Sequence, residues 1–549
     1  MARSTAMRAV LAMARRAAMA DAQTQGTDTP RVSRRVVLAG AGATAGLALF
    51  GGVERRSARA QATPVPGTPR VGIVGAGIGG LSAALALHDA GIPSTIFEAS
   101  DRIGGRMHSN TTTWADDQTS EWCAELIDTG HTVIQELAAR FDLPLVDLLE
   151  AMDPDAEDTY FFNGHYYTED EANRDFLPVY RIAVEQAATF GPETRYDVYT
   201  PEAYLFDHMS IAQWIDQFVP GGLGSPLGKL LDAAYTTENG RDTSEQSALA
   251  LIIPLADQPD PDNPEVLGAS DERYHIEGGN QRLPEAIAAY VASTSPACEV
   301  RISWRLTAVT QQVDGVTLAF ATEAGFREEH FDRVILAIPF SVLRTLSIVH
   351  AAFDPLKRQA ISELSYGTNA KLQLQFDERF WRTTGPWPGV ANGFVFTDLG
   401  FQTTWEVSRG QAGTAGIINL FTGGVIGAGF MPDGPFTTSL DSPLTAAFAE
   451  QFLALLEEAW PGATEHYTGT ATLSYPAGDP NLLGSYPTYT VGQVTTFGGY
   501  EAVPQGRIHF AGDACTLGLT GFMEGAARAG ARAAQEVATV LNEPEDESA

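Results

Sequence analysis

The sequence predicts an α/β protein of two domains, one of which is built around a parallel β-sheet. Its 549 residues are more than one hydrophobic core usually supports. Hydrophobic residues make up 44% of the chain and charged residues 19%, as in folded globular proteins. Near the start of the globular part, two short strand-like runs flank an Ala- and Leu-rich run. This order is typical of a strand–helix–strand unit with parallel strands.

The first strand-like run, residues 70–74, leads into the turn Gly75-Ala76-Gly77-Ile78-Gly79-Gly80. A helix is predicted over 81–90, because Ala and Leu are strong helix formers. The second strand is predicted over 94–97 and is followed by Glu98. Strand, G-x-G-x-x-G turn, helix, strand and acidic residue together form the dinucleotide-binding fingerprint.

Each glycine of the turn has a physical role in such a site. Gly75 would make the tight turn, Gly77 would let the backbone approach a pyrophosphate, and Gly80 would let the helix pack on the strand. The helix N-terminus offers free N–H groups and a positive dipole end to the phosphates. The Glu98 carboxylate can accept both ribose hydroxyls. The alternative is a glycine-rich loop that only turns a corner, and the fingerprint alone does not separate NAD from FAD.

A second glycine loop, Arg102-Ile103-Gly104-Gly105-Arg106, follows shortly after Glu98. Adjacent glycines between two arginines offer N–H groups and positive charge to the far side of a long dinucleotide. With this loop the chain resembles the flavin-containing amine oxidase family, which includes monoamine, polyamine and L-amino-acid oxidases. In that family the R-x-G-G-R loop lies at the pyrophosphate and the flavin. The resemblance therefore implies FAD.

The resemblance continues in scattered blocks up to about residue 540. The block 300–306 looks like a strand whose backbone meets the adenine at Leu306, and the block 507–513 looks like the family's C-terminal flavin segment. There the resemblance places Asp513 near the ribityl and pyrophosphate, although a helix N-cap is an alternative role for it. The residues that the fingerprint and the resemblance assign to the cofactor are Gly75, Gly77, Gly79, Gly80, Glu98, Arg102, Gly104, Gly105, Arg106, Leu306, Gly512, Asp513 and Met523.

We therefore predict a Rossmann-like FAD domain that is assembled from three chain segments, together with an α+β substrate-binding domain. The predicted FAD segments are residues 70–125, 270–345 and 480–540. Residues 126–269 and 346–479 are assigned to the substrate domain.

The resemblance implies oxidation of an amine by hydride transfer to flavin N5. The imine product hydrolyses, and O2 reoxidises the flavin to give H2O2. Lys371 is the candidate near N5, because it ends a G-x-x-x-K stretch that matches the family, although strand alternation also places it on a polar face. Tyr486 and Phe522 stand where the family has two aromatic rings beside the amine, or they are ordinary core residues. Ser485 occupies the place of a flavin-linking Cys in some members, so we expect non-covalent FAD.

The substrate is less well determined. The stretch 121–128 contains acidic residues and no Arg, which disfavours binding of an α-carboxylate there. Glu125 and Asp128 are candidate anchors for a cationic substrate, or they serve as caps and surface residues. A primary amine, diamine or polyamine is favoured. The alternatives are an L-amino-acid oxidase and an FAD-dependent desaturase or isomerase that acts on an apolar substrate.

The first 60 residues are predicted to be a twin-arginine signal peptide. Arg34 and Arg35 precede an apolar run over 36–52, and Ala58-Arg59-Ala60 forms a small-residue cleavage site. Residues 61–69 are predicted to be an extended linker. The expected partner is the twin-arginine translocase and the expected location is outside the cytoplasm, with an uncleaved anchor as the alternative.

Charge and cysteine content limit the function classes. The net charge is −33, so the surface would repel nucleic acid, although such charge also serves solubility alone. The three cysteines, Cys123, Cys298 and Cys515, match no zinc or C-x-x-C spacing, and we predict no metal site. A homodimer is left open.

Overall fold

The computed structural model describes residues 69–256 and 271–542. The predicted signal peptide (1–60) and nearly all of the predicted linker lie outside the described residues. Within the described ranges, no helix is long and apolar enough to cross a membrane.

The helices and strands of the described ranges are numbered in chain order. The helices are α1 (Ile78–Asp89), α2 (Thr132–Arg140), α3 (Glu169–Ala187), α4 (Pro201–Asp207), α5 (Ile211–Phe218), α6 (Pro226–Asn239), α7 (Leu249–Ala256), α8 (Arg282–Ser293), α9 (Phe340–Leu343), α10 (Pro355–Glu363), α11 (Gly424–Gly429), α12 (Pro443–Ala459), α13 (Ala463–His466), α14 (Gln493–Phe497) and α15 (Met523–Asn542). The strands are β1 (Val71–Val74), β2 (Ser94–Phe97), β3 (Ser109–Asn110), β4 (Ser120–Glu121), β5 (Leu145–Asp147), β6 (Glu157–Phe162), β7 (His165–Tyr166), β8 (Tyr274–Ile276), β9 (Glu299–Arg301), β10 (Arg305–Gln311), β11 (Val316–Thr322), β12 (Gly325–Phe331), β13 (Arg333–Leu336), β14 (Ser365–Tyr366), β15 (Ala370–Phe376), β16 (Ala391–Thr397), β17 (Thr403–Glu406), β18 (Gly416–Thr422), β19 (Phe436–Thr438), β20 (Tyr467–Ser474), β21 (Pro487–Thr488) and β22 (Ile508–Phe510).

A five-stranded parallel sheet forms the centre of the first domain, with the strand order β22-β13-β1-β2-β9. All five strands come from the three segments that are predicted to form the FAD domain. The strand β2 has the bounds predicted from the sequence. Helix α1 starts at Ile78, earlier than the predicted residue 81, because Gly79 and Gly80 lie in its first turn. Their low helix propensity is offset by the close packing that they allow.

Elements outside the predicted FAD segments also pack on this sheet. Ile134 and Ala138 of α2 share a buried cluster with Ile73 of β1. On the other face, Ile361 of α10 lies in one cluster with Leu336 of β13. The core of the first domain therefore extends beyond the segment limits at residues 125 and 345.

The predicted single strand over 300–306 is wrong. Ser303 has a φ of 59°, in the left-handed region, and this breaks the segment into β9 and β10. The two strands belong to different sheets, because β10 pairs with β11 in a three-stranded antiparallel sheet. Leu306 lies in that second sheet, at a break in the β10–β11 register.

The second domain is built on an eight-stranded sheet with the order β19-β20-β15-β18-β17-β16-β6-β7. Its neighbouring strands are antiparallel except for β16 and β6. Leu372 and Leu374 of β15 pack with Phe452 and Leu456 of α12 on one face. Helices α3, α5, α6 and α7 share a buried cluster with Trp405 on the other face. This α+β arrangement confirms the predicted fold class.

A short strand pair links the two domains beside the site. In this pair β14 runs antiparallel to β21, with Tyr366 opposite Pro487. The Gly367 N–H donates to the Tyr486 carbonyl at 2.9 Å, and the Ser485 N–H donates to the Gly367 carbonyl at 2.8 Å. These bonds hold the chain that carries Ser485 and Tyr486 next to the start of β15.

Candidate active site

The first glycine turn has a backbone that only glycine fits. Gly75 has a φ of +102°, and a Cβ on it would lie 2.5 Å from the Ala337 carbonyl oxygen. A Cβ on Gly80 would lie 1.9 Å from the Gly75 carbonyl oxygen. The turn therefore packs against the residue that follows β13 and against its own helix, as the fingerprint predicts.

The two glycine loops lie against each other at the N-terminus of α1. The Gly104 N–H donates to the Ala76 carbonyl at 2.9 Å, and a Cβ on Gly77 would meet the Gly105 Cα at 4.0 Å. Gly77 is the N-cap of α1, and no side chain caps this helix. Bare backbone at a helix N-terminus suits a pyrophosphate, so the residues present fit a dinucleotide.

The acidic residue after β2 is held beside this turn. The Glu98 carboxylate accepts hydrogen bonds from the Ala76 N–H at 2.8 Å and from the Ser100 N–H at 2.9 Å. Arg102 instead supports its own loop, because its guanidinium donates to the Gly105 carbonyl at 2.9 Å. Leu306 is buried in a cluster with Phe97 of β2.

Three distant segments meet at Arg106. Its guanidinium donates to the Asp513 carboxylate at 2.5 and 2.8 Å and to the Ser485 carbonyl at 2.9 Å. Burial opposes the charge of Arg106, but the Asp513 carboxylate overcomes this effect and raises the pKa of the guanidinium. Next to Asp513, Gly512 has a φ of +109° and a Cβ on it would meet no atom within 4 Å. Met523 is buried at the first position of α15.

Lys371 lies in a buried ion pair with Glu125. Its Nζ donates to Glu125 Oε2 at 2.5 Å and to the Cys123 carbonyl at 2.7 Å. The other carboxylate oxygen of Glu125 accepts from Trp405 Nε1 at 2.9 Å, and the Lys371 ammonium lies 5.4 Å from the centre of the Trp405 ring. The alternation of β15 places Lys371 on a polar face, as predicted, but all seven residues of the strand are buried. Glu125 is thus neither a surface residue nor free of partners.

Tyr486 and Ser485 lie close to this pair. Tyr486 is fully buried and packs on Cys123, whose carbonyl accepts from Lys371. The Tyr486 hydroxyl donates to the Thr237 carbonyl at 2.5 Å. The Ser485 hydroxyl donates to Asn369 Oδ1 at 2.6 Å. Lys371, Glu125 and Tyr486 are therefore brought together around Cys123.

Phe522 and Asp128 are brought together at a different place, around His131. The Phe522 ring packs edge-on against the His131 ring at 5.1 Å. The Asp128 carboxylate accepts from the Glu272 N–H at 2.9 Å and lies 3.3 Å from His131 Nε2. Burial lowers the pKa of His131 to about 4, so this ring is neutral at pH 7. Asp128 is buried and bonded to backbone, and its role as a substrate anchor stays a prediction.

Two small cavities flank the Lys371–Glu125 pair. One, of about 10 Å³, lies between Lys371, Cys123, Phe421 and Ser474. The other, of about 20 Å³, is lined by residues that include Glu125, Trp405 and Arg409. A cavity of this size with polar walls holds about one water molecule. We call the region that contains these two cavities, together with the residues that line them, the chamber.

A comparison of the sequence with known protein families identifies the family of this chain. Residues 78–538 match the family model for flavin-containing amine oxidoreductases. The chain belongs to this family. It is an FAD-dependent amine oxidase.

Relatives of this amine oxidase are named after different amine substrates. Polyamine oxidase 3 of Oryza sativa subsp. japonica is 23% identical over 484 residues, which cover 85% of this chain and 89% of the relative. The L-amino-acid oxidase of Notechis scutatus scutatus is 23% identical over 507 residues, 86% of this chain and 87% of the relative. The structure of cyclohexylamine oxidase from Brevibacterium oxydans has a TM-score of 0.70 at 21% identity and covers 87% of this chain and all of that one. This last likeness shows the fold.

Sequence reasoning missed three residues of this amine oxidase. Glu121 stands four positions before Glu125 and could have been singled out in the same acidic stretch. Trp405 and Asn419 carry no local signal, because only the register of β17, β18 and β15 places them in one row with Gln373. Asn419 is fully buried, and neither polar atom of its side chain has a hydrogen-bond partner among the described residues. A buried amide without partners is costly, which favours a water or ligand at this position.

Proposed function

We propose that this enzyme oxidises a primary amine, diamine or polyamine to an imine, which hydrolyses, while O2 is reduced to H2O2. For a primary amine the sum is one amine, one O2 and one water giving an aldehyde, ammonia and H2O2. The observation that carries the proposal is the buried Lys371–Glu125 pair, which lies at the chamber beside Tyr486. When bound, FAD supplies the acceptor for the hydride.

The residues that would hold FAD form a cradle, by which we mean the turn Gly75–Gly80 at the α1 N-terminus, Glu98, the loop Arg102–Arg106, Gly512 and Asp513. The α1 N-terminus and the Gly104–Gly105 backbone would meet the phosphates, and Glu98 would accept the ribose hydroxyls. Arg106 and Asp513 join this cradle to the segment of Ser485. The Ser485 hydroxyl in turn bonds to Asn369, two positions before Lys371. This connection between the cradle and Lys371 supports the proposal that the flavin ring lies at the chamber.

The walls of the chamber favour a neutral amine over its ammonium form. Its walls include Trp405, Phe421 and Phe394, which exclude bulk water and favour the uncharged amine over the ammonium. Tyr486 is proposed to flank the amine, with its negative ring face directed toward it, whereas Phe522 packs on His131 and is not assigned to this wall. Lys371 Nζ, already bonded to Cys123 and Glu125, is proposed to hold a water beside the reacting carbon. These residues align the amine; the substrate supplies the hydride.

One observation favours a second candidate, an L-amino-acid oxidase. Arg409 is buried, lines the larger cavity and donates to the Asn392 carbonyl at 2.6 Å. An arginine of the substrate domain could bind an α-carboxylate, although the stretch 121–128 contains none.

Anaerobic bleaching of the flavin distinguishes the candidates. The purified enzyme is mixed without oxygen with diamines, polyamines, aromatic amines and L-amino acids, and the flavin absorbance is followed by stopped flow. We expect rapid bleaching with one of the amine classes and slow or absent bleaching with amino acids. If only amino acids bleach the flavin, the second candidate is correct, and Arg409→Met should then raise KM for the amino acid. A flavin that none of these compounds reduces would refute both.

The cofactor is proposed to be held without a covalent bond. The side chain at the position of the linking cysteine is the Ser485 hydroxyl, which is bonded to Asn369 and cannot form a thioether. Acid precipitation should therefore release all of the FAD into the supernatant. Yellow colour that stays with the protein pellet would contradict this.

A further inference from the structure

The Lys371–Glu125 pair uses both carboxylate oxygens of Glu125. Oε2 accepts from Lys371 Nζ at 2.5 Å, and Oε1 accepts from Trp405 Nε1 at 2.9 Å. The side chains of Lys371 and Glu125 are 3% and 7% exposed. A carboxylate with both oxygens occupied inside the protein is poorly placed to bind a substrate ammonium as well.

Several titratable groups surround this pair. Burial raises the pKa of Glu121 to about 8, and it also raises the pKa of the Cys123 thiol. Burial also lowers the pKa of His275, a titratable neighbour of Glu125. All three are therefore mainly neutral at pH 6.5. The wall of the larger cavity also carries Glu272, Arg409 and Glu406, and Glu406 pairs with both Arg379 and Arg382.

Among the described residues, Glu125 is the carboxylate that forms an ion pair with Lys371. While it stays protonated, a buried ammonium without a counter-ion acts strongly on any group nearby, because the interior screens charge far less than water does. A paired ammonium is a dipole, and its effect falls off more steeply with distance. The pair therefore decides how much positive charge a bound flavin ring experiences from Lys371.

We propose that Glu125 is a positioning residue that acts through Lys371: it fixes the ammonium at the edge of the chamber and cancels most of its charge toward the flavin. The proposal rests on the proposed function only in placing the flavin ring beside Lys371. It replaces the expectation that Glu125 binds the substrate. Trp405 takes part by holding the carboxylate in the orientation that faces Lys371.

Sulfite is a probe of this charge that needs no amine. Sulfite adds reversibly to flavin N5 through a new S–N bond and leaves negative charge on the ring, and nearby positive charge stabilises the adduct. We expect Glu125→Gln to bind sulfite about tenfold more tightly than the wild type at pH 6.5, a change of about 1.4 kcal/mol. The reduction potential of the flavin should rise in the same variant. The readouts are the loss of flavin absorbance on sulfite titration and a dye-coupled potential measurement.

Three further variants distinguish an effect of charge on sulfite binding from an effect of altered structure. Glu121→Gln is the matched control, since Glu121 is mainly protonated at this pH and bonds to Ser109 and Asn280, and it should leave the sulfite Kd within twofold. Glu125→Asp keeps the charge and should stay near the wild type. In a Lys371→Met background, Glu125→Gln should have no further effect, because the two residues act as one unit.

The proposal is overturned if Glu125→Gln leaves sulfite affinity and potential unchanged, or if it shifts them equally in the Lys371→Met background. Should the single variant fail to fold, the double variant still tests the idea, since replacing both partners of a buried ion pair is better tolerated than removing one. In that case Lys371→Met and the double variant must have the same sulfite Kd. Failure of the proposed function would be seen separately, as normal sulfite binding by an enzyme that no amine reduces.

Discussion

Glu121 shows how burial changes the chemistry of a single side chain. Its carboxyl accepts from the Asn280 N–H at 2.7 Å and from the Ser109 hydroxyl at 2.8 Å. Burial raises its pKa to about 8, and these hydrogen bonds lower it only in part. The acid is therefore mainly protonated at pH 7. Glu125, four residues later, is paired with Lys371.

The raised pKa of Glu121 predicts a pH dependence of stability. The unfolded carboxyl ionises near 4.5 and the folded one near 8, so the folded state binds the extra proton between these values. Stability is therefore lost as pH rises from about 4.5 to about 8. Between pH 5 and pH 8 the wild type should lose a few kcal/mol more of unfolding free energy than Glu121→Gln, measured by urea titration. Equal losses in the two proteins would contradict this.

The proposed catalytic role of Lys371 can be tested by a single substitution. Lys371→Met removes the ammonium that bonds to Cys123 and Glu125 and should slow flavin reduction or reoxidation at least about tenfold. Stopped-flow absorbance measures both half-reactions. Lys229→Met is the control, because Lys229 of α6 forms a partly exposed ion pair with Asp398 and should leave both rates unchanged. Unaltered rates in the Lys371 variant would remove this residue from the mechanism.

At the scale of elements, the cradle depends on the contact between α1 and α15. A Cβ on Gly530 of α15 would lie 2.0 Å from the Gly79 carbonyl oxygen, and a Cβ on Gly79 would lie 3.1 Å from the Gly512 nitrogen. Two glycines thus let the helices approach at backbone distance. This contact holds the α1 N-terminus beside the segment of Gly512 and Asp513, so helix packing shapes the cofactor site.

Gly530→Ala should therefore disturb both stability and cofactor binding. The added methyl group has no space, and overpacking of this kind costs about 1–3 kcal/mol. We expect a lower melting temperature and faster loss of FAD on dilution, measured by circular dichroism and by flavin fluorescence. Gly429→Ala is the matched control in α11, because a Cβ there meets no atom within 4 Å. A melting temperature equal to that of the control would contradict the role given to this contact.

At the scale of the whole molecule, the charge is divided unevenly along the chain. The first 60 residues carry ten Arg and three acidic residues, whereas the whole chain has a net charge of −33. Loss of this segment would leave a strongly acidic protein. Such a surface favours solubility and repels nucleic acid, and it would attract protonated amines from solution.

Export by the twin-arginine route stays a prediction, and it can be tested directly. Replacing Arg34 and Arg35 with Lys should keep the protein in the cytoplasm, because the translocase distinguishes the arginine pair from lysines. Cell fractionation with flavin absorbance as the readout measures this. The control replaces Arg55 and Arg56, which follow the apolar run, and should be exported normally. Normal export of the first variant would rule out this route.

The sequence by itself determined the features that depend on local backbone requirements. Gly75 and Gly80 were assigned to a turn and a close contact, and their positions in the structure require glycine for those reasons. The strand β2 was predicted with its observed bounds, and the family could be recognised from two glycine loops. These features can be predicted from the sequence because a few consecutive residues decide whether the backbone can form a turn or a strand.

The tertiary structure alone decided the partners of the chamber residues. Lys371 and Glu125 are 246 positions apart, and the loop that follows β4 and the register of β15 bring them into contact. Trp405 and Asn419 enter the same row through strand pairing, and Ser303 splits a predicted strand through one left-handed residue. No local pattern encodes these outcomes, because the energy of a buried ion pair depends on what the rest of the chain places around it.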